Sequence, residues 1–285
     1  MKLDLPSCVT SIVVDGREFL IKRDDLLHPL LSGNKFRKLY ALVTAPATSY
    51  KRVISYGGTQ SNAMLSIAAL CHYKGWEFIY YTKPLSKVQK DVSHGNYFEA
   101  MRLGMKHIEI SHESYKESIS SLRVNFDEAS FIVDQGGALQ EADLGLRVLA
   151  DEIKTLEFDA VATPSGTGTT ALFLAHNLPH KKIYTVPCVG DATYLEREMA
   201  HFGALPKNLA ILEPKKKYHF AKPYPEFYRI YKKLKDAGVE FDLAYAPLLW
   251  QELLAQTDEK ILYVHSGGVM GNSTLLQRYK QKGIC

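Results

Sequence analysis

The chain has 285 residues, with 35 Lys and Arg against 31 Asp and Glu, giving a formal charge of +4. That length can bury a sizeable core in one large domain or two modest ones, and the charge balance is too weak for a dedicated nucleic-acid binder. The 46% of hydrophobic residues is ordinary for a globular protein, and no apolar run nears the roughly 20 residues that a bilayer demands.

The N-terminal stretch MKLDLPSCVTSIVVDGREFLIKRDD has no apolar run followed by a small-residue cleavage site, so cytoplasmic residence is expected. Within it, REFLIKRDD has the brevity of a strand. GNKFRKLYALV then turns helical, with Phe36, Leu39, Tyr40 and Val43 recurring at spacings of three and four. KRVISYGG reads as a strand ending in glycines, TQSNAMLSIAALCHYKGW as a closely packed helix and EFIYYT as the next strand. The alternation continues through helix GNYFEAMRLG, strand KHIEI, helix SYKESISSLRVNF and the ASFIVDQGG strand or loop, which leads into ALQEADLGLRVLADEIKTL. FDAVATPSGTGTTALFLAHNL, KKIYTVPCVG and KILYVHSGGVMG each carry an apolar strand that ends at a bend. This is an α/β chain whose ligand groups are expected beyond the carboxyl ends of its strands. Breaks near 41–50 and near 140 divide it into 1–41 and 142–285, forming a larger domain, and 42–141, forming a smaller α/β domain.

Three polar, glycine-bearing segments carry the candidate chemistry. In SGTGTTA, Gly166 and Gly168 let backbone approach an anion, and Thr167, Thr169 and Thr170 offer hydroxyls at a helix start. No lysine follows those glycines and no GxGxxG is present, so the turn suits a phosphorylated cofactor better than a nucleotide; a plain helix cap is the competing reading. In SGNK, Lys35 sits on a glycine-flanked turn. Desolvated there, it can attack an aldehyde, although read in isolation the segment is the start of a solvated basic helix with Arg37 and Lys38. In GGTQSNA, Gln60, Ser61 and Asn62 stand where glycines end and a helix begins, placed to clamp an amino acid's carboxylate, and Ser61 is also a candidate for proton transfer or simple capping. The scattered cysteines Cys8, Cys71, Cys188 and Cys285 read as free thiols. The histidines are dispersed, and no metal site is expected.

Taken together, IKRDDLLHPLLSGNKFRKL, YGGTQSNAMLSIAAL, PSGTGTTALFLA and YVHSGGVMGN resemble segments of the pyridoxal-phosphate-dependent family of 1-aminocyclopropane-1-carboxylate deaminase and D-cysteine desulfhydrase. The resemblance implies a tryptophan synthase beta-like fold with large and small domains, pyridoxal 5'-phosphate as cofactor, a small amino-acid substrate and a homodimer, with no nucleic-acid or membrane partner. By position it implies that Lys35 is joined to the cofactor's aldehyde carbon, Asn62 bonds the ring oxygen, and Ser61 contacts the substrate carboxylate or moves a proton. Residues 166–170 then hold the phosphate, Tyr245 lies near the ring, and Gly136 and Gly137 form a loop near the site. Tyr224 is a second aromatic candidate; core packing is the competing reading for both tyrosines.

The chain also departs from that pattern. Where the similar deaminases carry a glutamate toward the pyridine nitrogen, it has Ala246, and Ser266 in HSGG is the replacement candidate, a hydroxyl without charge. That substitution favours β-elimination from D-cysteine, giving pyruvate, ammonia and sulfide, over ring-opening of aminocyclopropane carboxylate. An amino-acid racemase and a noncatalytic cofactor-binding regulator are the remaining rivals. KKKYHFAKPYPEFYRIYKKLK, at 215–235, is expected either to reshape the substrate mouth or to form a basic surface segment with aromatic anchors.

Overall fold

The computed structural model describes residues 5–31, 33–91, 93–122 and 127–285. Ten strands form two sheets: β1 Val9–Val14, β2 Arg17–Lys22, β3 Arg52–Tyr56, β4 Glu77–Thr82, β5 Lys106–Glu109, β6 Ser130–Val133, β7 Ala160–Ala162, β8 Lys182–Thr185, β9 Leu209–Ile211 and β10 Ile261–Val264. One sheet has the order β1-β2-β10-β7-β8-β9 and the other β5-β4-β3-β6. Apart from the antiparallel hairpin β1–β2, closed through Asp15 and Gly16, every pairing is parallel. Helices cover the sheets, and β7 and β10 are buried along their whole length, which explains why their sequences are continuously apolar instead of alternating.

The second sheet has its own core around Val53, Met64, Ile67, Leu70 and Phe78. Its principal helix, Asn62–Lys74, starts at an N-cap where Ser61 Oγ accepts from Met64 N at 3.2 Å and ends at Gly75 in the left-handed region. The larger sheet packs one face on Phe19, Phe241, Trp250 and Tyr263 and the other on Leu146, Leu149, Phe173 and Leu174.

Three sequence expectations change. GNKFRKLYALV forms two short helices, Asn34–Lys38 and Tyr40–Thr44, interrupted at Leu39 (φ −91°, ψ 10°). The 215–235 segment, read either as reshaping the substrate mouth or as a basic surface stretch with aromatic anchors, contains the Pro225–Asp236 helix, which buries Phe227, Tyr231 and Leu234 at spacings of four and three. Strands β1 and β9 carried too little apolar periodicity to be recognised. Ser32, and residues 123–126 of the expected SYKESISSLRVNF helix, lie outside the described residues.

Candidate active site

Four loops that follow parallel strands converge: 57–61 after β3, 135–137 after β6, 164–168 after β7 and 265–268 after β10. They enclose two adjoining cavities of about 240 and 420 Å³, and Lys35, Asn62, Gly136 and Tyr245 line both.

Lys35 reaches this junction because Gly33 brings its helix against the end of β10. Gly33 has φ 61°, a Cβ there would lie 2.1 Å from the Ser266 carbonyl, and Asn34 N donates to that carbonyl oxygen at 3.3 Å. Lys35 Nζ donates to Asn34 Oδ1 at 3.0 Å and forms no ion pair among the described residues. Desolvation lowers its pKa to about 8, against the opposing pull of the Asp242 carboxylate.

The solvated-helix reading of this segment is corrected here, since Phe36, Arg37 and Lys38 are all buried. Arg37 is enclosed by Asp24 and Glu152, while Lys38 Nζ donates to Gly136 O and Thr167 Oγ1, both at 3.3 Å. Burial, and then the neighbouring Lys35, hold the Lys38 amine well below the usual lysine range. Lys38 is a site residue that sequence reasoning missed. A basic pair on a short helix looks solvated until the tertiary fold encloses it.

The glycine–threonine turn lies opposite these amines. Gly168, at φ 74°, caps the Thr169–Asn177 helix, and a Cβ there would meet Met199 Cγ at 2.3 Å. A Cβ on Gly166 would lie 3.4 Å from the Tyr245 ring. Thr167 and Thr169 share a hydroxyl contact at 3.0 Å, and the Thr170 hydroxyl is buried with no partner. Two amines without carboxylate partners thus face amide ends, hydroxyls and an orphaned buried oxygen. A phosphate monoester carrying an aldehyde fits that donor set.

On the smaller-sheet side, Asn62 Oδ1 accepts from Asn96 Nδ2 at 2.8 Å, which leaves the Asn62 amino group as a donor. Asn96 also donates to Gln60 O at 3.0 Å, so this buried residue, unnoticed in the sequence, braces the loop. Ser61 lines the larger cavity beside Gln60, whose side-chain oxygen accepts from Thr274 Oγ1 at 3.1 Å. Beneath the loop, Tyr80 OH donates to Gly58 O at 3.1 Å, and Gly57 leaves room for that hydroxyl.

Ser266 lines the smaller cavity, whereas Ala246 lines neither. Ser266 Oγ donates to Asp242 Oδ2 at 3.4 Å, and Asp242 Oδ1 accepts from Ala244 N and Tyr245 N at 3.0 and 2.7 Å. Gly267 N donates to His265 Nδ1 at 3.0 Å, and His265 Nε2 lies 2.9 Å from Glu240 O; burial pushes the Asp242 carboxyl above the usual carboxylate range, against the pull of the backbone hydrogen bonds it accepts. Sequence reasoning therefore saw the hydroxyl of Ser266 and missed the carboxylate behind it. Tyr224 lies outside both cavities, in a cluster with Tyr218 and Phe227, which is the core-packing reading; Phe220 is the aromatic that meets Tyr245, at 4.9 Å.

The two sheets, each flanked by helices, match the tryptophan synthase beta-like fold. The chain is 25% identical over 287 residues to a putative 1-aminocyclopropane-1-carboxylate deaminase of Thermotoga maritima, covering 90% of each. It is 24% identical over 295 residues to the mitochondrial bifunctional D-cysteine desulfhydrase/1-aminocyclopropane-1-carboxylate deaminase of Arabidopsis thaliana, covering 90% of this chain and 74% of that one. In structure it is similar to an ACC deaminase homologue (TM-score 0.76, 22% identity, 97% and 94% of the two chains). It also resembles a hydrogen sulfide-producing enzyme of Fusobacterium nucleatum (TM-score 0.60, 12% identity, 93% and 96% covered). No family model matches the chain. The sequence relatives and the fold agree: the chain's matches are to the ACC deaminase and D-cysteine desulfhydrase family of pyridoxal-phosphate-dependent enzymes.

Proposed function

We propose that the protein deaminates an α-amino acid to a 2-oxo acid and ammonia, by a reaction of the aminocyclopropane-carboxylate-deaminase type ahead of thiol expulsion from D-cysteine. The observation that carries this reading is the Lys35 amine, desolvated and without an ion pair at the junction of two cavities, opposite a turn suited to phosphate. When bound, pyridoxal phosphate supplies an aldehyde that an amine can join and a ring that accepts an electron pair.

The chain's own residues hold and direct. Gly166, Thr167, Gly168, Thr169 and Thr170, with Lys38, hold the phosphate; Asn62 donates to the ring oxygen and Tyr245 flanks the ring. Lys35 carries the attaching amine and moves the substrate's α-proton, while Gln60, Ser61 and Asn62 orient the carboxylate and Ser61 assists the proton. Ser266, backed by Asp242, serves the ring nitrogen. A carboxylate behind the hydroxyl compensates for Ala246, and so removes the sequence-level argument for preferring thiol elimination.

The relative named as a putative deaminase, matched over 90% of both chains, supports the deaminase order. D-cysteine desulfhydration stays as the second reading because the Arabidopsis relative is named for both activities. The domain limits at 42 and 142 belong to this proposal, as every strand of the smaller sheet falls between Arg52 and Val133. So do the homodimer, which light scattering tests, and cytoplasmic residence.

Borohydride reduction of the cofactor-loaded protein, followed by peptide mapping, should mark Lys35, and a mark on another lysine refutes the assignment. Aminocyclopropane carboxylate and D-cysteine are then offered side by side. Oxo-acid release from the first supports the deaminase order, while sulfide release from the second alone reverses it. Ser266→Ala and Asp242→Asn should each shift the pH dependence of the bound cofactor's absorbance, and an unmoved profile removes the pair from the ring nitrogen.

A further inference from the structure

The larger cavity, of about 420 Å³, is lined by Ser61 of the clamp and also by Phe220, Ala221, Leu275 and Arg278, none of which lines the smaller one.

Its lining is mixed. Lys35, Ser61 and the ends of backbone loops contribute polar groups, while Phe220, packed on the Tyr245 ring, and Leu275 are apolar. Ala221, a non-glycine residue at φ 53°, follows Phe220 in the lining. Arg278, on the Asn272–Gln281 helix, lines the same cavity and is exposed to solvent.

The charges along the wall are unbalanced. Its only ionisable carboxylate is Asp242, and both of that residue's oxygens are engaged, by Ala244 N, Tyr245 N and Ser266 Oγ. Arg278 is exposed and, among the described residues, its guanidinium has neither a carboxylate partner nor a hydrogen bond. Other surface arginines here do find carboxylates, as Arg102 does with Glu99 and Arg147 with Asp143. An unpaired guanidinium in a cavity lining favours a planar anion, which it can hold by two parallel hydrogen bonds.

We infer that the site's substrate class is an α-amino acid with a second carboxylate at the end of its side chain, bound with the α-carboxylate at Ser61 and the distal one at Arg278. This rests on the functional reading above and extends it from reaction type to substrate. Because Arg278 is open to water, its contribution is that of a partly screened pair, so preference for the acid over its neutral amide should be roughly two- to fivefold.

The test is equilibrium binding to the cofactor-loaded protein, followed by calorimetry and by the cofactor's absorbance, with the D and L forms of glutamate against glutamine and of aspartate against asparagine. The expected result is tighter binding of the acid in at least one pair, a gap that shrinks in 0.5 M salt, disappears in Arg278→Gln and partly survives in Arg278→Lys, with the cofactor band retained throughout. Equal affinity within every pair, or a gap that persists in Arg278→Gln, overturns the inference and leaves the reaction type standing. A wild-type protein with no cofactor band overturns the functional reading and this inference together, and the missing spectrum tells that failure apart.

Discussion

Lys35 and Lys38 are one helical turn apart, and the fold gives them different work. Lys35 has a pKa of about 8 because burial disfavours its charged form. The neutral amine is the nucleophile, so attachment of an aldehyde to the apo-protein should rise with pH and reach half its limit near pH 8, more than two units earlier than at an exposed lysine. Stopped-flow absorbance checks this, and a midpoint above 10 would place Lys35 in solvent. Lys38 instead faces Thr167 and the Gly136 carbonyl, on the side of the turn. Lys38→Met should weaken pyridoxal phosphate by roughly ten- to a hundredfold, the range for a hydrogen bond to a charged group, while leaving phosphate-free pyridoxal unaffected. Equal losses for both compounds would deny Lys38 a role at the phosphate.

The short Asn34–Lys38 helix has too few residues to be stable by itself. It is held by a buried network: Arg37 pairs with Asp24 at 2.8 Å and Glu152 at 2.8 Å, Lys22 reaches Glu152 at 2.6 Å, and Ser7 donates to Asp24 at 2.6 Å. Gly145 adds close contact, since a Cβ there would fall 2.0 Å from the Arg37 carbonyl oxygen. The network ties β2, the lysine helix and the Ala142–Ile153 helix into one support. Arg37→Ala leaves the buried Asp24 carboxylate without its main partner, while Glu152 keeps Lys22, and should cost about 3–5 kcal/mol in urea unfolding. A loss below 1 kcal/mol would show that packing alone positions the helix.

The cavities belong to both sheets at once: the 164–168 turn and Ser266 come from the larger, and the 57–61 loop and Gly136 from the smaller. A ligand that joins them should stabilise the whole molecule, by about 2.7 kcal/mol at a hundredfold excess over its dissociation constant. Thermal unfolding with increasing pyridoxal phosphate should show a midpoint rising by several degrees, with a much smaller rise in Lys35→Ala. An identical rise in that variant would remove the covalent anchor from the account. By itself the sequence determined the βα alternation, the three glycine-bearing turns and the identity of Lys35, Ser61 and Asn62 as candidates, because glycine punctuation and helix starts are local properties of a few neighbouring residues; Ser266 entered through the family resemblance. The tertiary structure alone decided that Lys38 and Arg37 point inward, that Asp242 stands behind Ser266, that Asn96 orients Asn62, and that Phe220 and Arg278 line the larger cavity. Those relations join residues from about 20 to more than 200 positions apart or depend on burial, and neither proximity across such separations nor loss of solvent is written in local spacing.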